Sequence, residues 1–365
     1  MKILILGVGP AQEDLINYCK NEGHEVFGCS YSNKDRGISL LDNFSQLDIV
    51  DKEAVLNYAK SNNVDLVYSV GSDIAMPTAC YVSEKLGLPH FVSSKTATIC
   101  NQKHILRETI GPDFQGNVDY IVASIKEEIK TFNSFPGIIK PVDSQGQRGV
   151  FRVDNIDEAI QRFDESISHS KVKKVILEKF LEGQEISINA YFVNSKMVFA
   201  IPSDRISFDE YPGGIIKEHH LPTSLMPNVV DLSIDLANRV AKKIGIENGP
   251  AYYQIKITDN KPYLLEVTPR LDGCHMWRLI EHFTRINLLE ISINHLINGD
   301  IGLDCFNSKQ QYDKIKTIFI CQPPLTEFKK ISFDNYIFLT YYYEDGDIVK
   351  KMNGYMEKCG YYITI

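Results

Sequence analysis

Gln254 and Glu266 lie twelve residues apart on two apolar, strand-like runs, 253–256 and 265–270. Between them stands the polar stretch Thr258-Asp259-Asn260-Lys261-Pro262, which has the composition of a hairpin turn. Folding there brings an amide oxygen against a carboxylate. Hard oxygen donors of this kind suit Mg²⁺, which pairs one or two protein oxygens with the phosphates of a nucleotide. Arg270 follows as a cation able to meet a phosphoryl or carboxylate group. Upstream, the short apolar run Gly137-Ile138-Ile139-Lys140-Pro141 carries a lysine near its end. The loop after it, 142–150, holds Ser144, Gln145 and Gly146. Backbone N–H groups of such a loop can wrap phosphate oxygens, and Lys140 adds a point charge. A third run, 175–185, places Glu178 and Glu185 seven residues apart.

Taken in order, these segments resemble the ATP-grasp superfamily, in its carboxylate–amine ligase and carbamoyl-phosphate synthase-like branch. The run Glu266-Val267-Thr268-Pro269-Arg270 is similar to that family's Glu-x-Asn-Pro-Arg signature. The resemblance implies that Lys103, in Asn101-Gln102-Lys103-His104, and Lys140 contact ATP phosphates, with the loop at Ser144, Gln145 and Gly146 closing over them. It implies that the backbone of Glu178, Lys179, Phe180 and Leu181 meets the adenine and that Glu185 holds the ribose hydroxyls. Gln254 and Glu266 would hold Mg²⁺, with Mn²⁺ as an alternative, and Thr268 stands where the signature often has asparagine. Arg270 would stabilise an acyl phosphate. Lys217 lies where the family often places a further phosphate-contacting lysine and is the second catalytic candidate. The implied activity is ATP-dependent joining of a small-molecule carboxylate to an amine. Bicarbonate as the activated acid, or nucleotide binding without catalysis, are the alternatives. The sequence does not identify the acid or the amine.

The elements that must hold these residues follow from periodicity. Residues 1–95 alternate strand and helix, which implies a parallel α/β sheet whose ligand crevice lies at the carboxyl ends of the strands. Residues 96–300 alternate helices (95–109, 156–167, 229–243) with hairpins. They are expected as a two-lobed ATP-grasp domain of α+β type, with lobes of about 96–172 and 173–300. Residues 301–365 are rich in β-formers and are expected as a small C-terminal β-rich or α+β domain.

With 365 residues, 44% hydrophobic and 24% charged, the chain reads as a globular protein of two or three domains. A net charge of -8 disfavours a nucleic-acid groove. None of the eight cysteines forms a C-x-x-C pair, which excludes a zinc ribbon or thioredoxin-like motif. The apolar run 3–8 is too short to cross a membrane, so a cytoplasmic protein with reduced thiols is expected, compatible with a homodimer. Gly7-Val8-Gly9-Pro10-Ala11-Gln12 lacks the third glycine of a dinucleotide fingerprint, and Cys29-Ser30 replaces the acid after the second strand. His219 and His220 are adjacent, so on a strand they point to opposite faces and do not chelate one ion together. One is expected to face the cleft and the other solvent. Arg205, His275 and Arg278 are candidates for holding an acceptor or a carboxylate, and Trp277 reads as a packing residue.

Overall fold

Apolar runs alternating with amphipathic helices build a parallel sheet at the N-terminus. The computed structural model describes residues 1–143, 149–208, 215–352 and 355–365. Its first elements are β1 (Lys2–Leu6), α1 (Pro10–Asn21), β2 (Glu25–Ser30), β3 (Asn43–Gln46), α2 (Lys52–Asn62), β4 (Leu66–Tyr68) and α3 (Met76–Leu86). The strands pair in parallel in the order β3-β2-β1-β4. Within the first turn, the Gln12 amide occupies the place of the absent glycine: its Oε1 accepts from Gly9 N–H at 2.9 Å and its Nε2 donates to the Val70 carbonyl.

The stretch expected as one helix over 95–109 is two, α4 (Ser94–Asn101) and α5 (Lys103–Ile110). Gln102 between them is extended, at φ -106° and ψ 106°. The break makes Lys103 the first residue of a new helix, with Arg107 one turn further on the same face. A smaller lobe follows: β5 (Tyr120–Ala123), α6 (Lys126–Ile129), β6 (Gly137–Pro141), β7 (Phe151–Val153), α7 (Ile156–Ser168) and β8 (Val175–Lys179). Its antiparallel sheet has the order β5-β8-β6-β7 and its own core, which includes Phe132, Ile139, Phe163 and Leu177.

The larger lobe contains β9 (Gln184–Val193), β10 (Lys196–Ser207), β11 (Ile216–Leu221), α8 (Pro227–Ile244), β12 (Gly249–Thr258) and β13 (Lys261–Thr268). After it come α9 (Met276–Thr284), α10 (Leu288–Asn298), β14 (Ile315–Gln322), β15 (Phe338–Tyr341) and β16 (Glu357–Thr364). These strands form one sheet in the order β13-β12-β9-β10-β11-β14-β16-β15. The last three strands of the chain therefore extend the central sheet through β11, while Ile320, Phe328, Val349 and Cys359 form a small core beside it.

The β12–β13 hairpin turns at Asp259 and Asn260, both in the left-handed region at φ +52° and +58°. Such two-residue turns match the twist of the flanking strands, and Asp and Asn tolerate the conformation. The register sets Gln254 directly opposite Glu266.

The N-terminal sheet is packed firmly onto the larger lobe. Ile3, Ile5 and Leu15 share one core with Tyr253, Trp277 and Leu279. At the junction Gly71 N–H donates to the Leu271 carbonyl at 3.1 Å. Gly71 sits at φ +67°, and a Cβ there would lie 2.7 Å from Ala11 Cβ and 3.1 Å from Gly273 Cα. Gly71→Ala is expected to lower stability by about 1–3 kcal/mol through strain and overpacking. An unchanged urea midpoint would show that this junction has slack.

Candidate functional site

Lys140 and Glu178 are carried by the neighbouring strands β6 and β8. The Lys140 ammonium pairs with Glu178 Oε2, and Arg107 Nε donates to Glu178 Oε1 at 2.9 Å. Arg107 and Glu178 are buried, with 1% and 3% of their surface exposed. Burial alone would raise the Glu178 pKa, but the Lys140 and Arg107 cations outweigh it and hold the carboxyl down at about 2. Burial is also the main reason that the Lys140 ammonium titrates below its ordinary value. Lys103 and Arg107 add to that depression, and Glu178 opposes it. Lys140 and Arg107 thus share one carboxylate, and Lys103 stands near enough to Lys140 to add to a local positive excess.

The adjoining segment is partly committed within the protein. Lys179 N–H donates to Asp119 O at 2.9 Å and Phe180 N–H to Pro136 O at 2.8 Å. Among the described residues the Leu181 N–H has no partner, so it is the backbone donor left for a ligand in this run. The Glu178 carboxylate is spent inside the protein. Ser144, Gln145 and Gly146 lie outside the described residues.

Glu185, on β9, sits opposite Lys256 of β12. Its Oε1 pairs with Arg205 and accepts from Gln254 Nε2 at 2.5 Å, while Lys256 Nζ is 3.6 Å from Oε2. Because Gln254 spends its NH₂ on Glu185, its carbonyl oxygen remains as the outward acceptor. Opposite it, the Glu266 carboxylate has no hydrogen bond or ion pair among the described residues. An amide oxygen and an uncommitted carboxylate on paired strands fit a hard divalent cation such as Mg²⁺.

Thr268 and Arg270 turn toward the N-terminal sheet. Arg270 is 5% exposed; its NH1 donates to Leu271 O at 2.8 Å and its NH2 pairs with Asp73. Arg270 Nε is buried without a partner. Burial disfavours both charges, yet Arg270, with the Thr268 hydroxyl beside it, still holds Asp73 below the ordinary carboxylate range. Thr268 thus faces Asp73, and its hydroxyl belongs to the Arg270 side of the site. Lys217 is half exposed, 3.8 Å from Glu218 and over the Phe208 ring. Of the two adjacent histidines, His219 is fully buried, whereas His220 is partly exposed and bonds Glu218 at 2.8 Å. His275 and Arg278 both meet Asp14, at 3.3 and 2.6 Å, and Trp277 is buried.

The profile of the ATP-grasp domain family matches residues 133–277, a span running from before Lys140 to beyond Arg270. Residues 133–277 are thus matched as an ATP-grasp domain. It is 21% identical to formate-dependent phosphoribosylglycinamide formyltransferase of Bacteroides thetaiotaomicron, over 74% of this chain and 70% of that protein. It is also 21% identical to dapdiamide A synthase of Enterobacter agglomerans, over 81% and 74%. The whole chain superposes on 92% of an L-amino acid ligase from Bacillus licheniformis, with a TM-score of 0.82 at 16% identity.

The roles of three residues of this site escaped the sequence reading: Arg107, Asp73 and Asp14. Arg107 follows Lys103 by four residues on a helical run, which is a usable signal, but nothing local reveals that its partner is 71 residues away. Asp73 ends the run Gly71-Ser72-Asp73 at a strand terminus, a position typical of ligand contacts. Glu178 also gives this site a pH signature. Its ordinary value is 4.5 and its folded value about 2, so its contribution is complete above pH 4.5 and is lost as pH falls toward 2. Wild type should therefore exceed Glu178→Gln by about 3 kcal/mol at neutral pH, and the gap should narrow below about pH 4.5. A gap that stays constant in urea titrations from pH 7 to 3 would contradict this.

Proposed function

We propose that the chain is an ATP-dependent, ADP-forming ligase that activates a small-molecule carboxylate as an acyl phosphate and joins it to an amine. The observation that carries this reading is the positive excess of Lys103, Lys140 and Arg107 around Glu178, set beside the uncommitted Glu266 carboxylate. A polyphosphate supplies the missing negative charge, and Glu266 with the Gln254 carbonyl oxygen supplies the seat for its counter-ion. The named relatives, a formyltransferase, a synthase and an amino acid ligase, support the same class.

In this reading Lys140 and Lys103 neutralise phosphate oxygens, and Glu178 with Arg107 fixes the Lys140 ammonium in place. Leu181 N–H meets the adenine edge. Glu185, already held by Arg205, Lys256 and Gln254, orients the ribose side. A Mg²⁺ ion on Gln254 and Glu266, or Mn²⁺ in its stead, would neutralise charge on the phosphates during transfer. Arg270 would meet the acyl phosphate oxygens through its unspent guanidinium donors, while Asp73 and the Leu271 carbonyl hold the group still. Preorganised donors of this kind lower the barrier without reorganising at the moment of reaction. No described helix is long and apolar enough to cross a membrane, and we take the enzyme to act in the cytoplasm on small molecules.

The test of this function is ADP release across a panel of acids and amines, with product mass measured. An acid- and amine-dependent condensation product is expected. ADP release that depends on bicarbonate alone, or nucleotide binding with no turnover across the panel, overturns it.

Two expectations concern individual roles. Glu266 carries charge and Gln254 does not, so Glu266→Gln should cost more activity than Gln254→Ala, and added Mg²⁺ should rescue the second better. Mg²⁺ titration of ADP release that gives the reverse order would remove Glu266 from the metal. Arg270→Ala should lower kcat by about 10²–10³-fold with little change in ATP affinity, because its contact forms mainly in the transition state. Arg270→Lys keeps charge but loses the fork held by Asp73, so it should also be severe. Parallel loss of ATP binding in both variants would make Arg270 a nucleotide anchor.

A further inference from the structure

Three buried side chains close to the site are left unexplained by the ligase reading. His219 lies in the middle of β11, opposite Arg205 of β10 and Thr317 of β14. Asp272 and Cys274 come from the loop between β13 and α9, immediately after Arg270. One ligand atom from each of the three lies within 4.8 Å of the others, and the residues are 0%, 2% and 8% exposed. Asp272 Oδ1 is fixed by the N–H groups of Cys274 and Met276, both at 3.1 Å. Among the described residues its Oδ2 has no partner, and neither ring nitrogen of His219 meets one at hydrogen-bonding geometry, although the Asp204 carbonyl lies near enough to take one ring N–H. A buried polar atom left unpaired costs on the order of 1–3 kcal/mol, so Asp272 Oδ2 and the other His219 nitrogen call for an occupant.

We propose that His219, Asp272 and Cys274 bind a thiophilic divalent transition-metal ion, Zn²⁺ by donor set, distinct from the Mg²⁺ seat at Gln254 and Glu266. One thiol, one imidazole and one carboxylate are a zinc set, with bond lengths of about 2.0–2.3 Å. A thiol excludes Mg²⁺, which takes oxygen ligands. Three protein ligands leave the fourth position of a zinc tetrahedron to a water.

The neighbouring cations are compatible with such an ion. Binding releases the Cys274 thiol proton to solvent, and the thiolate with the Asp272 carboxylate cancels the charge of a divalent ion. Lys358 Nζ, 3.3 Å from Cys274 Sγ, donates to that sulfur. Arg205 pairs with Glu185, which offsets part of its charge. The Asp204 carbonyl faces the His219 ring, as the outer acceptors of ligating histidines do. The ion would tie the segment that begins at Arg270 to β11, fixing the wall of the cleft opposite the nucleotide. Asp-x-Cys with a histidine more than fifty residues earlier has no recognised metal spacing, so the set becomes visible only in the fold.

The test is elemental analysis by mass spectrometry of the full chain, produced with added Zn²⁺ and dialysed against Mg²⁺ buffer. Wild type should retain about one equivalent of zinc, and Cys274→Ser and His219→Ala should each retain less than a tenth of that. Wild type reconstituted with Co²⁺ should show a near-ultraviolet thiolate-to-cobalt charge-transfer band that Cys274→Ser lacks. The cobalt spectrum needs only the wild type, so it stands even if a variant fails to fold. Wild type without bound zinc and without that band overturns the proposal. None of these measurements depends on turnover, so the site stands or falls separately from the ligase reading.

Discussion

The buried pairing of Arg107 with Glu178 is the interaction on which the geometry of the site depends. The guanidinium holds Glu178 from one side while its NH1 donates to Asn117 Oδ1 at 3.0 Å and to the Leu264 carbonyl at 2.8 Å. Leu264 is two residues before Glu266. A single side chain on α5 therefore sets the strand carrying Lys140's partner against the strand carrying Glu266. Buried ions are poor sources of stability, because desolvation offsets most of their attraction. Their use here is positional. A planar fork with five fixed donors can hold three acceptors in fixed relation, which a lysine cannot do.

A second constraint ties the N-terminal sheet to the chemistry. Gly71 has no room for a side chain against Ala11, a Cβ on Gly273 would lie 3.2 Å from the Gly71 carbonyl oxygen, and Asp73, two residues on from Gly71, reaches Arg270. Asp14 does the same for His275 and Arg278 from α1. The carboxyl ends of the parallel strands, where ligands collect in such sheets, thus face the segment after β13. The cleft has one wall from each sheet system, and the continuous core shared by Ile3, Tyr253 and Trp277 keeps those walls in register.

What could be read from the sequence was what depends on short range. The β12–β13 hairpin was legible because two strands, a two-residue turn and the facing pair Gln254 and Glu266 all fall within twenty residues. The opposite burial of His219 and His220 followed from the two-residue period of a strand. The break at Gln102 was not legible, since Ala, Thr, Ile and Leu run through it at helical spacing and no glycine or proline marks it. The joining of β14, β15 and β16 to β11 was hidden for another reason. Strand pairing across a hundred residues depends on which sheet edge is left open, and that is a property of the whole fold. The partners of Glu185 and Arg270 escaped on the same ground: Arg205 and Asp73 were visible as charges, but their pairing was not.

The distribution of cores gives the arrangement a mechanical sense. Lys140 and Glu178 rest on a small lobe with its own apolar centre, whereas Gln254, Glu266 and Arg270 rest on the large shared one. A boundary between two cores is where a protein opens at least cost. The pairing across that boundary at Glu178 is charged and short of anions, so the closed arrangement of the protein alone keeps an uncompensated positive field. In the ligase reading a polyphosphate would remove that field while touching both lobes. Binding and closure are then one event in energetic terms: any ligand preferring the closed form stabilises it by mass action. In the ligase reading the positive excess around Lys140 is tolerated because the bound ligand completes the charge balance.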